Sequence, residues 1–247
     1  MNLVDFLFPS CALFLDFDGT LVDIAPQPDE VLVPSGLSPA LESLQHSLGG
    51  AVAIISGRPI EQVDAYLAPL RLPSAGVHGA ERRDASGEIT LLSTYSLERV
   101  EEVVQALAAR HPDLRIEIKR GSIALHYRQA PQLEAECIAA MEAAVAQSPG
   151  VTLLRGKMVA EAKPGGASKG LAIEAFMKEA PFAGRSPVFI GDDITDEVGF
   201  ATVQRMHGMG VKVGAGTSVA WQRLPSPADC RLQLQAAAAA LAAKAAS

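Results

Sequence analysis

Aromatic residues are scarce: Phe, Trp and Tyr make up 5% of the 247 residues, too few for a base-stacking platform that binds single-stranded nucleic acid. Positive charge is in deficit as well. Lys and Arg number 21 against 28 Asp and Glu, a formal net charge of −7, which argues against nucleic acid as a partner because phosphate backbones need basic patches. The three cysteines, Cys11, Cys137 and Cys230, lie far apart and at no metal-ligand spacing. A disulfide framework or structural zinc site is not expected, and a reducing cytoplasm is. Like the cysteines, Trp221 is expected to be a packing residue. No apolar run reaches the roughly 18–20 residues of a membrane span, so no membrane partner is expected. The apolar stretch Leu3 to Leu15 is broken by Asp5 and has no basic segment before it, so it does not read as a secretory signal.

What the chain does have is apolar content, 49% of residues, ample for a core. Its length fits one large domain or a core with a smaller insert. Ala12 to Phe17 and Ala51 to Ile55 are short apolar runs that read as buried strands. Between them, after a Pro-rich loop from Asp23 to Pro34, Ser38 reads as an N-cap with Pro39 at the first helical position. Leu37, Leu41, Leu44 and Leu48 then repeat at helical spacing. Apolar strands alternating with helices predict a parallel sheet covered on both faces.

From about residue 82 the pattern changes. Arg82 to Leu92 reads as a hairpin around Ser86-Gly87, and Ser96 as the cap of a helix running towards His111. Arg115 to Arg120 and Ser122 to Arg128 alternate as a half-exposed antiparallel hairpin. Gln132 to Gln147 reads as a helix and Val151 to Lys163 as strands. Parallel punctuation resumes with a helix from Ser168, strands at Pro187 to Ile190 and Val211 to Val213, and an Ala-rich helix from Gln235 that frays towards Ser247. The expected organisation is a core of residues 1–82 and 161–247 interrupted by an α+β insert, 83–160.

Chemistry gathers at the strand ends. Asp16-Phe17-Asp18-Gly19-Thr20 follows the first buried strand, where ligands bind in open α/β sheets. A carboxylate there can bind a cation, attack phosphorus or transfer a proton, or it can cap the strand as an Asx-turn. Ser56-Gly57-Arg58 ends the second strand with a hydroxyl and amides suited to phosphate oxygens, unless Ser56 only terminates it. Lys169 sits at a helix start, where a cation opposes the helix dipole; the placement makes sense if it faces an anion, and an exposed surface lysine is the alternative. Gly191-Asp192-Asp193-Ile194-Thr195-Asp196-Glu197 places four acids within six residues. A hard cation such as Mg²⁺ answers their repulsion, and a solvated acidic helix start is the alternative.

These four segments, in this order, resemble the motifs of haloacid dehalogenase-like phosphatases. Gly76-Val77-His78-Gly79-Ala80-Glu81, Ala124-Leu125-His126-Tyr127-Arg128 with Ala130-Pro131, and Gly156-Lys157 with Glu161 are similar to those of the trehalose-6-phosphate phosphatases. A departure is Lys163 before Pro164, where that family more often has Arg.

The resemblance implies a Rossmann-like core with a parallel sheet plus an inserted, mobile α+β cap. It implies Asp16 as nucleophile, Asp18 as general acid and then base, and Lys169 with Ser56, Gly57 and Arg58 around the phosphoryl group. Mg²⁺ would be held by Asp16, the Asp18 carbonyl and Asp192, supported by Asp193 and Asp196. In the insert, strand alternation is expected to put Lys157 and Glu161 on one face, and His126 and Arg128 on one face of another strand. Such a polar face suits a many-hydroxyl sugar, or is simply solvated. The expectation is a monomeric enzyme acting on trehalose 6-phosphate or another sugar phosphate, with a non-catalytic phosphosugar-binding domain as the rival.

Overall fold

The computed structural model describes residues 2–25, 27, 30–91, 96–119 and 121–245. Pro26, Pro28 and Asp29 of the Pro-rich loop, Leu92 of the first hairpin, Arg120, Ala246 and Ser247 lie outside the described residues. In chain order the elements are β1 (Cys11–Leu15), α1 (Leu37–Ser47), β2 (Val52–Ile55), α2 (Ile60–Leu67), β3 (Ser74–Gly76), β4 (Glu81–Arg83) and β5 (Ile89–Leu91). There follow α3 (Glu98–Arg110), β6 (Arg115–Lys119), β7 (Ser122–His126), α4 (Glu134–Ala146), β8 (Val151–Gly156) and β9 (Val159–Pro164). The last are α5 (Lys169–Phe176), β10 (Ser186–Gly191), α6 (Glu197–Arg205), β11 (Met209–Val213), β12 (Gln222–Leu224) and α7 (Pro227–Ala245). They form two compact units, Met1–Thr90 with Ser168–Ser247, and Leu91–Ala167.

The first unit is built on an eight-stranded sheet of order β12-β11-β10-β1-β2-β3-β4-β5, parallel from β12 through β3. β1 is central and buried at every position, as a strand covered on both faces must be. Leu13 and Leu15 join Leu37, Leu41 and Leu44 of α1 and Leu234 and Leu241 of α7 on one side. Ala12 and Phe14 join Ile173 and Phe176 of α5 and Phe200 of α6 on the other. Two local readings shift. α1 begins at Leu37, with Gly36 rather than Ser38 before it; Pro39 is tolerated because first-turn amides have no intrahelical acceptor. α7 starts at Pro227, earlier than Gln235, because the Ser226 hydroxyl accepts the Asp229 amide at 3.2 Å. Its Ala237, Ala238 and Leu241 are buried in the core, while Ala246 and Ser247, where fraying is expected, lie outside the described residues. The three cysteines are buried and free, whereas Trp221, expected to pack, is 62% exposed.

The second unit is an antiparallel sheet of order β6-β7-β9-β8. Ile123, Leu125, Ala160 and Ala162 pack against Val100, Val104 and Leu107 of α3 and Cys137 and Met141 of α4. Period-two alternation sends Glu117, Lys119, Ser122, Ala124, His126 and Glu161 to the opposite face. Both expected insert boundaries fall elsewhere in this division. β4 is antiparallel to β3, so the hairpin expected from Arg82 looks like the insert, yet it extends the large sheet. Glu161 lies within β9, paired to β7 and β8.

Docking of α7 sets a stability test. Leu234→Ala removes a fully buried side chain and should cost about 2–5 kcal/mol in urea unfolding. Leu232→Ala, at a residue 64% exposed on the same helix, should change stability by less than about 0.5 kcal/mol.

Candidate active site

β1, β2 and β10 are adjacent and parallel, and each ends on a polar residue: Asp16 after Leu15, Ser56 after Ile55 and Asp192 after Gly191. Their carboxyl ends therefore present two acids and a hydroxyl at one edge of the sheet, where ligands bind in folds of this kind. The loop after β1 turns back at Gly19, φ 77°, where a Cβ would lie 2.2 Å from Asp192 Oδ2. Only glycine permits both that backbone and that approach.

Lys169, first residue of α5, is 3% exposed, so it is not a surface lysine. Its Nζ donates to Asp16 Oδ1 and to Asp196 Oδ1, each at 2.6 Å. Thr20 Oγ1 donates to Asp16 Oδ2 at 3.1 Å. The second oxygen of Asp196 accepts the amides of Asp192 at 3.0 Å and Asp193 at 2.9 Å, so both its oxygens are occupied in holding Lys169 and the turn. Asp193 itself is exposed and caps that turn, where its side chain accepts the Asp196 amide.

Carboxylate oxygens of Asp16, Asp192 and Asp196 lie within 4.8 Å of one another. Burial pushes the Asp16 carboxyl well above its ordinary range; Lys169 opposes this, and Asp196 and Asp192 add to it. Asp192 is pushed up to about 6, by burial first and then by Asp196. Burial works against the Lys169 charge, but Asp16 and Asp196 outweigh it and hold the ammonium charged. Three carboxylates thus face one ammonium. Asp192 Oδ1 is buried with no hydrogen-bond partner, and such an atom is costly unless something binds it. A hard cation with oxygen ligands fits this donor set.

At the second strand end the Arg58 amide donates to Ser56 Oγ at 3.0 Å. The Arg58 guanidinium, expected around a phosphoryl group, instead grips Asp18: Nε to Oδ2 at 2.6 Å and Nη2 to Oδ1 at 2.8 Å. The segment after β3 braces this loop. The amides of Val77 and His78 donate to the carbonyls of Arg58 at 3.1 Å and Ser56 at 2.9 Å. Their φ values of 49° and 55° are left-handed, a strained conformation for a β-branched valine. His78 is buried against Gly57, where a Cβ would come 2.8 Å from its Cε1.

In the second unit Glu161 Oε1 accepts Ser122 Oγ at 2.5 Å and Lys119 Nζ at 3.2 Å, while His126 Nε2 lies 3.0 Å from Glu117 Oε2. Burial alone would raise the Glu117 carboxyl, but His126 and Lys119 hold it below its ordinary value. Lys157 does not share a strand face with Glu161: it is an exposed residue of the β8–β9 turn, whose Met158 has φ 62°. Arg128 is likewise exposed in a turn beyond the end of β7. The sequence reading singled out neither Thr20 nor the trio Glu117, Lys119 and Ser122. Alternation along Arg115–Lys119 was the available signal, since it puts Glu117 and Lys119 on the face of Glu161.

The raised Asp192 sets a pH dependence. Ionising this carboxyl costs more in the folded than in the unfolded chain, so metal-free protein should lose stability as pH rises from about 4 to 6. Asp192→Asn removes that cost. Urea unfolding in chelator should show the variant gaining about 1–3 kcal/mol on wild type between about pH 4 and pH 7, and no further change above that.

Comparison with known proteins agrees with this geometry. Residues 14–230 match the sequence profile described as Trehalose-phosphatase. The chain is 46% identical over 220 residues to the trehalose-6-phosphate phosphatase of Escherichia coli K12, covering 88% of this chain and 83% of that protein. In fold it is similar to the C-terminal domain of the Candida albicans trehalose-6-phosphate phosphatase, TM-score 0.81 at 22% identity, covering 94% of this chain and 92% of that one. A haloacid dehalogenase-like hydrolase from Bacillus subtilis matches with TM-score 0.65 at 15% identity, over 91% of this chain and 99% of that one. Among the described residues no helix is long and apolar enough to cross a membrane. A chain with acids at adjacent strand ends, a buried lysine between two of them and this match over most of its length belongs to the trehalose-phosphatase family, on the haloacid dehalogenase-like fold.

Proposed function

We propose that the chain hydrolyses trehalose 6-phosphate to trehalose and inorganic phosphate through a phosphorylated Asp16. The observation that carries this reading is the buried Asp16, aimed from the end of β1 and held by Lys169 and Thr20. In the first step an Asp16 oxygen attacks phosphorus, the bond to the sugar oxygen breaks, and Asp18 gives that oxygen its proton. In the second, Asp18 takes a proton from water, the water oxygen attacks phosphorus, and the bond to Asp16 breaks. In this reading the Ser56 hydroxyl and the Gly57 amide donate to phosphoryl oxygens, and Lys169 offsets their charge.

Mg²⁺ is the cation of this reading, and Asp16, Asp192 and the Asp18 carbonyl would hold it. When bound it would supply positive charge that offsets the repulsion of an anionic nucleophile and an anionic phosphate. Asp196 and Asp193 support Lys169 and the turn rather than the ion. The Glu161 cluster, with His126, Lys157 and Arg128, recognises the sugar. Three buried free thiols suit a reducing cytoplasm.

A panel of sugar phosphates tests the substrate. Trehalose 6-phosphate should be hydrolysed with the highest kcat/KM, and preference for sucrose phosphate or a mannosylglycerate phosphate would overturn that choice. EDTA should abolish turnover, with Mg²⁺ restoring it. Asp16→Asn should leave the fold intact and less than about 1% of activity.

Sugar recognition gives a separate test. Glu161→Ala should lower kcat/KM for trehalose 6-phosphate by about 10–100-fold, the worth of one hydrogen bond to a charged group. Turnover of a small aryl phosphate should stay within about 3-fold, because it lacks the sugar contacts. Equal losses on both would place Glu161 in the fold or the phosphoryl chemistry.

A further inference from the structure

Asp18, Tyr66 and Gln62 all hold Arg58. Its Nε and Nη2 engage both oxygens of Asp18. Its guanidinium carbon lies 5.2 Å from the centre of the Tyr66 ring, within cation–π range. Its Nη1 reaches Gln62 Oε1 at 3.4 Å, on the same helix α2 as Tyr66. Tyr66 in turn stacks on Phe17, with ring centres 5.7 Å apart and planes at 25°. Phe17 is fully buried and stands in the chain between Asp16 and Asp18. The contacts therefore close a circuit: Phe17 seats Tyr66, Tyr66 seats Arg58, and Arg58 returns to the residue that follows Phe17.

We propose that Arg58, seated on Tyr66, is a positioning residue that fixes the side-chain orientation of Asp18, and is not a ligand of the phosphoryl group. The forked edge of the guanidinium is spent on Asp18. A half-buried carboxylate with no tether has χ rotation left to it, whereas two parallel N–H···O bonds fix both its direction and its plane. Asp18 must meet the leaving oxygen in one step and water in the next, so a fixed orientation serves both, and a small error in placement is costly. The ring beneath Arg58 stops the fork from following Asp18 if that side chain swings away. Lysine, a point charge on a flexible stem, cannot make the same two-point grip.

This inference rests on the proposed roles of Asp16 and Asp18, and its test separates the two. Purified wild type, Arg58→Lys, Arg58→Met and Tyr66→Leu are compared on trehalose 6-phosphate and on 4-nitrophenyl phosphate, with inorganic phosphate as competitive inhibitor. If wild type prefers another sugar phosphate, that compound replaces the first, so a wrong substrate leaves the test standing. Arg58→Lys and Arg58→Met should lower kcat on the sugar phosphate by about 10–100-fold and move KM and the phosphate inhibition constant by less than about 3-fold. The first-turnover burst of nitrophenolate, a leaving group that needs no proton, should change by less than about 3-fold. Tyr66→Leu keeps the guanidinium and should lower kcat in the same direction by about 3–10-fold. Should Arg58→Met fail to fold by circular dichroism, Arg58→Lys and Tyr66→Leu carry the test. A rise of about 10-fold or more in KM and in the phosphate inhibition constant with kcat kept, most of all if Arg58→Lys restores them, would make Arg58 a phosphate ligand and overturn the proposal. Unchanged kcat in the folded variants, or equal losses in the sugar turnover and the nitrophenolate burst, would overturn it too.

Discussion

One ammonium shared between two buried carboxylates organises this protein. Lys169 lies 2.6 Å from both Asp16 and Asp196, and all three are cut off from water. Taking such charges out of water is expensive, and the cost is met only when partners and geometry are fixed together. Lys169 therefore ties the end of β1 to the turn after β10 and to the start of α5. Asp196 carries the constraint on, because its second oxygen holds the amides of Asp192 and Asp193. The side chain that completes the acid cluster is thus placed by the same lysine that balances part of its charge. The balance is incomplete, and Asp192 Oδ1 is left without a partner. An acid cluster at the strand ends with one buried, unpartnered oxygen is a donor set that fits a hard cation.

The scaffold that makes this possible is ordinary. Apolar runs buried on both faces form the parallel strands, and polar residues begin where the runs stop. Because β2, β1 and β10 are adjacent and parallel, three such endings fall side by side. Close approach then depends on missing side chains. Gly19 and Gly191 stand where a Cβ would strike Asp192 and Asp196 respectively. The acids are packed against backbone rather than projected into solvent, and so their electrostatics are strong.

Local pattern was enough to read much of this. Asp16, Ser56 and Asp192 were legible because a short apolar run ending in a polar residue is a contiguous signal. The burial of Lys169 was not, since its partners lie 153 and 27 residues away in the chain. Pattern also misled where a single residue changes the geometry. Alternation from Lys157 to Glu161 assumes one continuous strand, but Met158 turns the chain in a left-handed conformation that no glycine announces. The hairpin from Arg82 read as part of the insert because antiparallel pairing differs from what precedes it, though a mixed sheet edge accommodates it. The grip of Arg58 on Asp18 joins two segments that had each been read as phosphate-facing, and only the fold sets them against each other.

The central claim is that Asp16, fixed by Lys169, accepts the phosphoryl group before water does. The stereochemical course at phosphorus tests it most directly, using a substrate whose phosphoryl group is made chiral with oxygen isotopes. Two in-line displacements, onto Asp16 and then onto water, predict net retention of configuration. Net inversion would mean that water attacks the substrate directly, and it would contradict the account.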